Sequence, residues 1–227
     1  MLSETLAKTI LFAGHYGSGK TNMALALAVA LKKAGRDVTV IDMDIINPYF
    51  RLADGSARLD AHGIDHIAPL YANTNVDIPV LPPKISALIN SYEGTLVIDV
   101  GGDDTGAAAL GGYAKALEAR GYEMILAVNC YRPFTGTYDE AMEVAAQIEH
   151  ASHLKFTGLA ANPNLGRETT PETIRKALPF TQTLAAETGL PIVMTGVRED
   201  LVDAVKAEIS GEILPIEILD KPGWEIY

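Results

Sequence analysis

Gly14-His15-Tyr16-Gly17-Ser18-Gly19-Lys20-Thr21 is the run in this chain whose residue types and spacing are best suited to chemistry. It fits G-x-x-x-x-G-K-[ST], in which glycines let the backbone curl so that successive N–H groups turn inward on phosphate oxygens. Lys20 supplies a compact positive charge to the β- and γ-phosphates, and the Thr21 hydroxyl is a ligand for Mg²⁺. A helix opening at Lys20 adds the positive end of its dipole. The bland alternative is a glycine turn leading into a helix, and composition alone gives such a match in about 1% of chains this long. Here the run follows an apolar segment, Thr9–Ala13, and opens a helical one, Lys20–Ala34. That is the context a working phosphate loop requires.

Carboxylates follow at the ends of two further apolar runs. Thr95-Leu96-Val97-Ile98-Asp99 continues into Val100-Gly101-Gly102, an apolar strand followed by D-x-x-G. Asp99 is placed to hold Mg²⁺ directly or through water, and the Gly102 N–H to sense a γ-phosphate. No glutamate follows Asp99, which counts against motor, transporter and helicase ATPases. Asp103 and Asp104 read equally as a solvated acidic turn or as catalytic groups. Val38-Thr39-Val40-Ile41-Asp42-Met43-Asp44 ends in two aspartates that strand alternation puts on one side. The plain reading is strand-end capping. The functional one is Mg²⁺–water coordination and orientation of an attacking water by these two carboxylates.

These side chains need elements to position them. Thr9–Ala13, Val38–Ile41, Leu96–Val100, Met124–Val128, Phe156–Ala160 and Pro191–Met194 are nearly continuous apolar runs, the pattern of strands covered on both faces. Helical stretches at Lys20–Ala34, Pro83–Tyr92, Gly106–Arg120, Tyr138–Ala151, Pro171–Leu178 and Asp200–Ile209 alternate with them. The alternation predicts an α/β fold, a mostly parallel sheet with helices on both faces, in one domain spanning 1–227. Parallel α/β sheets bind ligands at the carboxyl ends of their strands, where the phosphate loop and the aspartates fall together. The Pro-rich stretch Ile67–Pro83 reads as a long functional loop.

Together these segments resemble the MinD/ParA-type P-loop ATPases of the SIMIBI class, and the similarity covers most of the chain. The resemblance makes Asp44, 24 residues after Lys20, the switch I aspartate, with Asp42 a nearby acid of the same motif. Asp99 and Gly102 match switch II. Leu190-Pro191-Ile192-Val193-Met194-Thr195-Gly196 followed by Val197, Arg198, Glu199 and Asp200 looks like the family's adenine-side segment, and Asn162 matches an asparagine that contacts adenine. The resemblance thus implies nucleotide contacts from Gly14, His15, Tyr16, Gly17, Ser18, Gly19, Lys20, Thr21 and Asn22, then Gly102, Asn162 and Val197 to Asp200. It implies catalytic roles for Lys20, Asp44 and Asp99, and Mg²⁺ held near Thr21, Asp42, Asp44 and Asp99. The runs GHYGSGKT, DMDIINPYFR, DVGGDDTGA and NCYRPFTGT group the chain with CobQ/CobB/MinD/ParA-like nucleotide-binding proteins, a grouping that specifies a fold and a ligand rather than a role. One position departs. The family usually carries a second lysine, five residues before the phosphate-loop lysine, that reaches across a dimer, and here the residue is His15. His15 reads either as a proton-dependent surrogate or as a plain loop residue.

The guanine signature N-K-x-D is not in the sequence, so adenine is favoured and the expected ligands are ATP and ADP. Asn129-Cys130-Tyr131-Arg132 could touch nucleotide or partner, and Arg132 reads equally as a surface cation. Asn47-Pro48-Tyr49-Phe50-Arg51 reads either as a helix start with Tyr49 and Phe50 in the core or as a partner-sensing surface. His62 and His66 have helical metal spacing but flank Gly63 in a loop-like stretch with Asp60 and Asp65, which favours plain surface residues. His150 and His153 read as helix-end cations, and Cys130 as a lone buried thiol.

The net charge of −11 over 227 residues argues against a nucleic-acid or anionic-membrane partner. One cysteine excludes an internal disulfide framework and fits reducing cytoplasm. The longest apolar run, Met23–Leu31, has nine residues against the roughly 20 of a membrane span, and a secretory start is not evident. Pro215, Pro222 and Gly223 argue against a terminal membrane-surface helix. Three functions remain open. The first is a slow Mg²⁺-dependent ATPase acting as a nucleotide switch for a protein client, with a nucleotide-dependent homodimer and cofactor or metal loading among its roles. The second is a small-molecule kinase or ATP-dependent ligase with an acceptor pocket walled by 71–83 and 132–137. The third is a nucleotide-binding module without turnover.

Overall fold

The computed structural model describes residues 6–44, 52–68, 83–102 and 104–217. The Asn47–Arg51 run, most of the proline-rich stretch with its 71–82 pocket wall, Asp103, Pro222 and Gly223 lie outside them. Eight strands form one sheet in the order β3-β2-β4-β1-β5-β6-β7-β8, every neighbouring pair parallel. They are β1 (Thr9–Ala13), β2 (Val38–Asp42), β3 (Asp65–Ile67), β4 (Thr95–Asp99), β5 (Glu123–Val128), β6 (Gly158–Ala161), β7 (Ile192–Arg198) and β8 (Glu212–Ile216). Every residue of β1, β2, β4 and β6 is buried, which is why those segments carry no polar alternation.

Helices cover both faces. The helix α1 (Lys20–Lys33) is buried along Met23–Val29 and packs with Leu59 of α2 (Leu52–Ala61) on Ile10, Phe12, Val40 and Val97. Leu11, Ala13, Ile41 and Ile98 point to the other face. There they meet α3 (Lys84–Ser91), α4 (Asp104–Gly111), α5 (Ala114–Arg120), α6 (Tyr138–Ser152) and Leu184 of α7 (Pro171–Thr188). A short α8 (Val202–Val205) closes a small cluster of Ile174, Val197, Val205 and Ile209. Among the described residues no helix is long and apolar enough to cross a membrane.

Several boundaries differ from the sequence expectation, each for a local reason. The helix expected over Gly106–Arg120 breaks into α4 and α5 at Gly111 and Gly112. A Cβ on Gly111 would lie 2.9 Å from the Ala151 carbonyl, so glycine there lets α4 press against the end of α6. The helix expected to stop at Leu178 runs through Pro179 to Thr188. The helix expected over Asp200–Ile209 is only a 3-10 turn, Glu199–Leu201, and α8. Two edge strands and α2 were not anticipated. Asp60 belongs to α2 and Asp65 and His66 to β3, so the expected loop shrinks to a turn at His62, Gly63 and Ile64. Pro215 lies in β8, on an edge where a missing N–H is tolerated.

The topology assembles the site. The carboxyl ends of β2, β4 and β1 are adjacent, with Asp99 in register with Asp42 on one side and Phe12 on the other.

Candidate functional site

Gly14 leaves β1 at φ 148°, where a Cβ would sit 2.5 Å from the Ala127 carbonyl oxygen on β5. Gly19 is left-handed at φ 88° and caps α1 without a side-chain bond, and the first turn of α1 holds no acidic residue. The opening N–H groups and the positive dipole end therefore face the loop, the arrangement that takes an anion. Ser18 N–H donates to the His15 carbonyl at 3.1 Å and tightens the curl.

Lys20 and three carboxylates converge beneath it. The Lys20 ammonium lies 3.7 Å from Asp44 Oδ2, both side chains buried. Asp44 N–H donates to Asp42 Oδ1 at 2.9 Å, so Asp42 fixes the turn that presents Asp44. Thr21 Oγ1 donates to Asp99 Oδ2 at 2.6 Å. Burial raises the Asp99 carboxyl to a pKa of about 6, opposed by the Lys20 charge and the Thr21 hydrogen bond and reinforced by repulsion from Asp44. The other Asp99 oxygen, Oδ1, is buried without a hydrogen-bond partner, as is Ser18 Oγ. The D-x-x-G glycine also packs here: a Cβ on Gly102 would lie 2.9 Å from Tyr16 N and 3.1 Å from Lys20 Nζ. Asn22 occupies the first turn of α1, half-buried.

The base-side candidates fall into two groups. Asn162 reaches the phosphate loop: its Nδ2 donates to the Ser18 carbonyl at 2.7 Å, while Oδ1 is buried without a hydrogen-bond partner. Val197 is buried against α7 and α8. Arg198 pairs with Asp200 and donates to the Gly166 and Arg167 carbonyls, tying the end of β7 to the turn after β6. Glu199 and Asp200 are exposed.

The segment after β5 contributes more than its sequence suggests. Arg132 comes beside the phosphate loop, where a Cβ on Gly17 would be 3.6 Å from its Cδ and Nε. Phe134, left-handed at φ 63°, stacks on His15 with ring centroids 5.1 Å apart. Tyr16 and Phe134 are the large exposed apolar side chains among the described residues. No local motif marks this contact; the one hint was that the run follows a strand of the same sheet. Cys130 is half-buried, and burial raises its thiol above the usual range, which disfavours the thiolate. His66 faces Asp60 at 3.7 Å, and His62 Nδ1 lies 2.9 Å from the Arg58 carbonyl, away from the phosphate loop.

The sequence profile of the CobQ/CobB/MinD/ParA nucleotide binding domain matches residues 10–178. The chain belongs to this family. It is a nucleotide-binding P-loop protein of the MinD/ParA-like SIMIBI class. No curated protein sequence matches it. Among solved structures it resembles the signal recognition particle receptor FtsY from Elizabethkingia anophelis, with 17% identity and a TM-score of 0.54 over 95% of this chain and 63% of that one. It also resembles FtsY from Thermotoga maritima (17%, TM-score 0.55, 83% and 61%) and chloroplast FtsY from Physcomitrella patens (18%, TM-score 0.57, 88% and 61%). The Elizabethkingia protein is also known in complex with GDP. The chain thus spans about three-fifths of these neighbours, and at such identity the likeness is one of fold.

The Thr21 hydroxyl and the unpartnered Asp99 Oδ1 lie together at the start of α1, hard oxygen donors of the kind a phosphate-bound Mg²⁺ would take. Among the described residues no group of three or more His, Cys, Asp or Glu side chains could hold a metal ion. A cation here would take most of its ligands from phosphate and water, as Mg²⁺ does.

Proposed function

We propose that this protein is a slow Mg²⁺-dependent ATPase acting as a nucleotide switch for a protein client. The reading takes 1–227 as one nucleotide-binding domain, cytoplasmic, and dimeric when a triphosphate is bound. The observation that carries it is the meeting of Lys20, Asp44 and Gly102 at one point of the phosphate loop. Lys20 would exchange Asp44 for the β- and γ-phosphates. Asp44, released, would orient the attacking water and accept its proton. The Gly102 backbone, already against Lys20, would follow the γ-phosphate and carry the segment after β4 with it. Thr21 and Asp99 would hold Mg²⁺, which neutralises charge on the phosphate oxygens.

Adenine is supported by the missing N-K-x-D signature and by Asn162 lying against the loop. Guanine is the reading that an FtsY neighbour in complex with GDP would favour. A role in loading a cofactor or metal into another enzyme suits a switch of this kind.

Sedimentation with no nucleotide, with ADP–Mg²⁺ and with a non-hydrolysable ATP analogue tests the proposal. A dimer appearing with the ATP analogue alone supports the switch. An unchanged monomer, with hydrolysis appearing only on addition of an acceptor, would instead indicate a kinase or ligase. Repetition with the GTP analogue decides the base.

A further inference from the structure

We propose that Arg132 is a phosphate-contacting cation supplied in cis, engaging the terminal phosphate of a bound nucleoside triphosphate from beside the phosphate loop. The inference rests on the nucleotide-binding reading above and adds a residue that belongs to neither the phosphate loop nor the D-x-x-G segment.

Position comes first. A Cβ on Gly17 would meet the Arg132 side chain at ordinary contact distance, 3.6 Å from Cδ and Nε, so that side chain lies about one methyl group away from backbone of the kind whose N–H groups cradle phosphate. Gly17 is exposed, with no side chain to keep the guanidinium off the loop.

The guanidinium is also uncommitted. Arg36, Arg120, Arg175 and Arg198 each donate to carbonyls or carboxylates. Among the described residues the Arg132 guanidinium has no hydrogen-bond or ion-pair partner, although the protein carries a net charge of −11. A planar fork of donors held beside an anion site is suited to phosphate oxygens.

The segment that carries it is built. Arg132 N–H donates to the Asn129 carbonyl at 3.0 Å, and buried Thr135 Oγ1 donates to that same carbonyl at 2.9 Å. Asn129 is itself anchored, its Nδ2 donating to the Asn164 carbonyl at 2.8 Å. The hydroxyl of Tyr131 donates to the Thr173 carbonyl on α7, and Phe134 stacks on His15. Tyr131 and Phe134, which bracket Arg132 and Pro133, are therefore both held.

Charge supplies the need. Three carboxylates, Asp42, Asp44 and Asp99, share the site with one ammonium, which is paired to one of them. A triphosphate adds more negative charge than Lys20 and one divalent cation offset, and the last increment sits on the γ-phosphate. An arginine reaching in from the same chain is one known solution to that problem.

The test is calorimetric titration of the full chain with ATP and ADP, each with Mg²⁺, for wild type, Arg132→Ala and Arg132→Lys. Arg132→Ala should weaken ATP about 10- to 100-fold and leave ADP within about 3-fold, as expected for losing one charge-assisted contact to the γ-phosphate. Arg132→Lys should recover part of the loss. Equal affinity of wild type and Arg132→Ala for ATP would overturn the inference, and so would equal weakening of ATP and ADP. A wild type that binds neither nucleotide would instead overturn the underlying function. Because the Arg132 side chain is exposed and makes no internal hydrogen bond among the described residues, these variants should fold as wild type.

Discussion

Lys20 Nζ lies 3.7 Å from Asp44 Oδ2, in side chains only 5% and 2% exposed, and so joins the phosphate loop to the end of β2. A buried pair of this kind is a lock with an electrostatic key. Removing one partner strands a charge, and an incoming phosphate would compete with the aspartate for the lysine.

The pair makes a stability prediction. Lys20→Met should destabilise the protein by about 3 kcal/mol, since buried Asp44 loses the ammonium it pairs with and Asp99 a nearby positive charge. Combining it with Asp44→Asn should return most of that loss. Urea unfolding of the two single variants and the double checks the coupling; additive losses would mean that the two groups do not interact.

Asp44→Asn alone should separate binding from turnover. Lys20 is then freed for phosphate, so ATP affinity should hold or rise. Hydrolysis should fall about 100-fold or more if Asp44 orients the attacking water. Single-turnover phosphate release beside a binding titration reads both. Unchanged hydrolysis would remove the catalytic role.

Asp99 predicts a pH dependence. Its folded-state pKa of about 6 exceeds the unfolded value near 3.9, so the folded protein holds this proton more tightly. The stabilisation is complete below about pH 4 and is lost as pH rises through about 6. Without nucleotide, Asp99→Asn should therefore be about 2–3 kcal/mol more stable than wild type at pH 8, and the gain should roughly halve by pH 5. The same variant should bind Mg²⁺–ATP poorly. Denaturant melts at the two pH values check it.

Gly19 and Asn162 are coupled by space. A Cβ on Gly19 would fall 1.9 Å from Asn162 Nδ2, and Gly19 is left-handed besides. Gly19→Ala should cost about 2 kcal/mol or more, and in an Asn162→Ala background markedly less, because only the backbone strain remains. Thermal melts of the four proteins give the coupling.

Much of this architecture was legible in the chain. The central strands are short and nearly all apolar because both faces are covered, and the phosphate loop announces itself because its chemistry fixes its spacing. What was hidden has physical causes. Asp65-His66-Ile67 is too short for any periodicity, and among the described residues it pairs on one side only, as an edge strand. Gly55 weakens the helical signal of α2, yet it sits where a Cβ would be 2.6 Å from Leu25 and so lets α2 lie close on α1. Pro179 reads as a stop, although tertiary packing carries α7 past it. Lys20, Thr21, Asp44 and Asp99 were marked by motif, and the fold brings Lys20 to Asp44 and Thr21 to Asp99. The closeness of Arg132 to Gly17 could not be read, since more than a hundred residues separate them and the sheet order brings them together.

Calorimetric titration of Mg²⁺–ATP into wild type and Lys20→Ala tests the nucleotide site most directly. One saturable site per chain in wild type, weakened at least about 100-fold in the variant, is the predicted result. Equal binding by both proteins, or no binding by wild type to ATP or GTP, would contradict it.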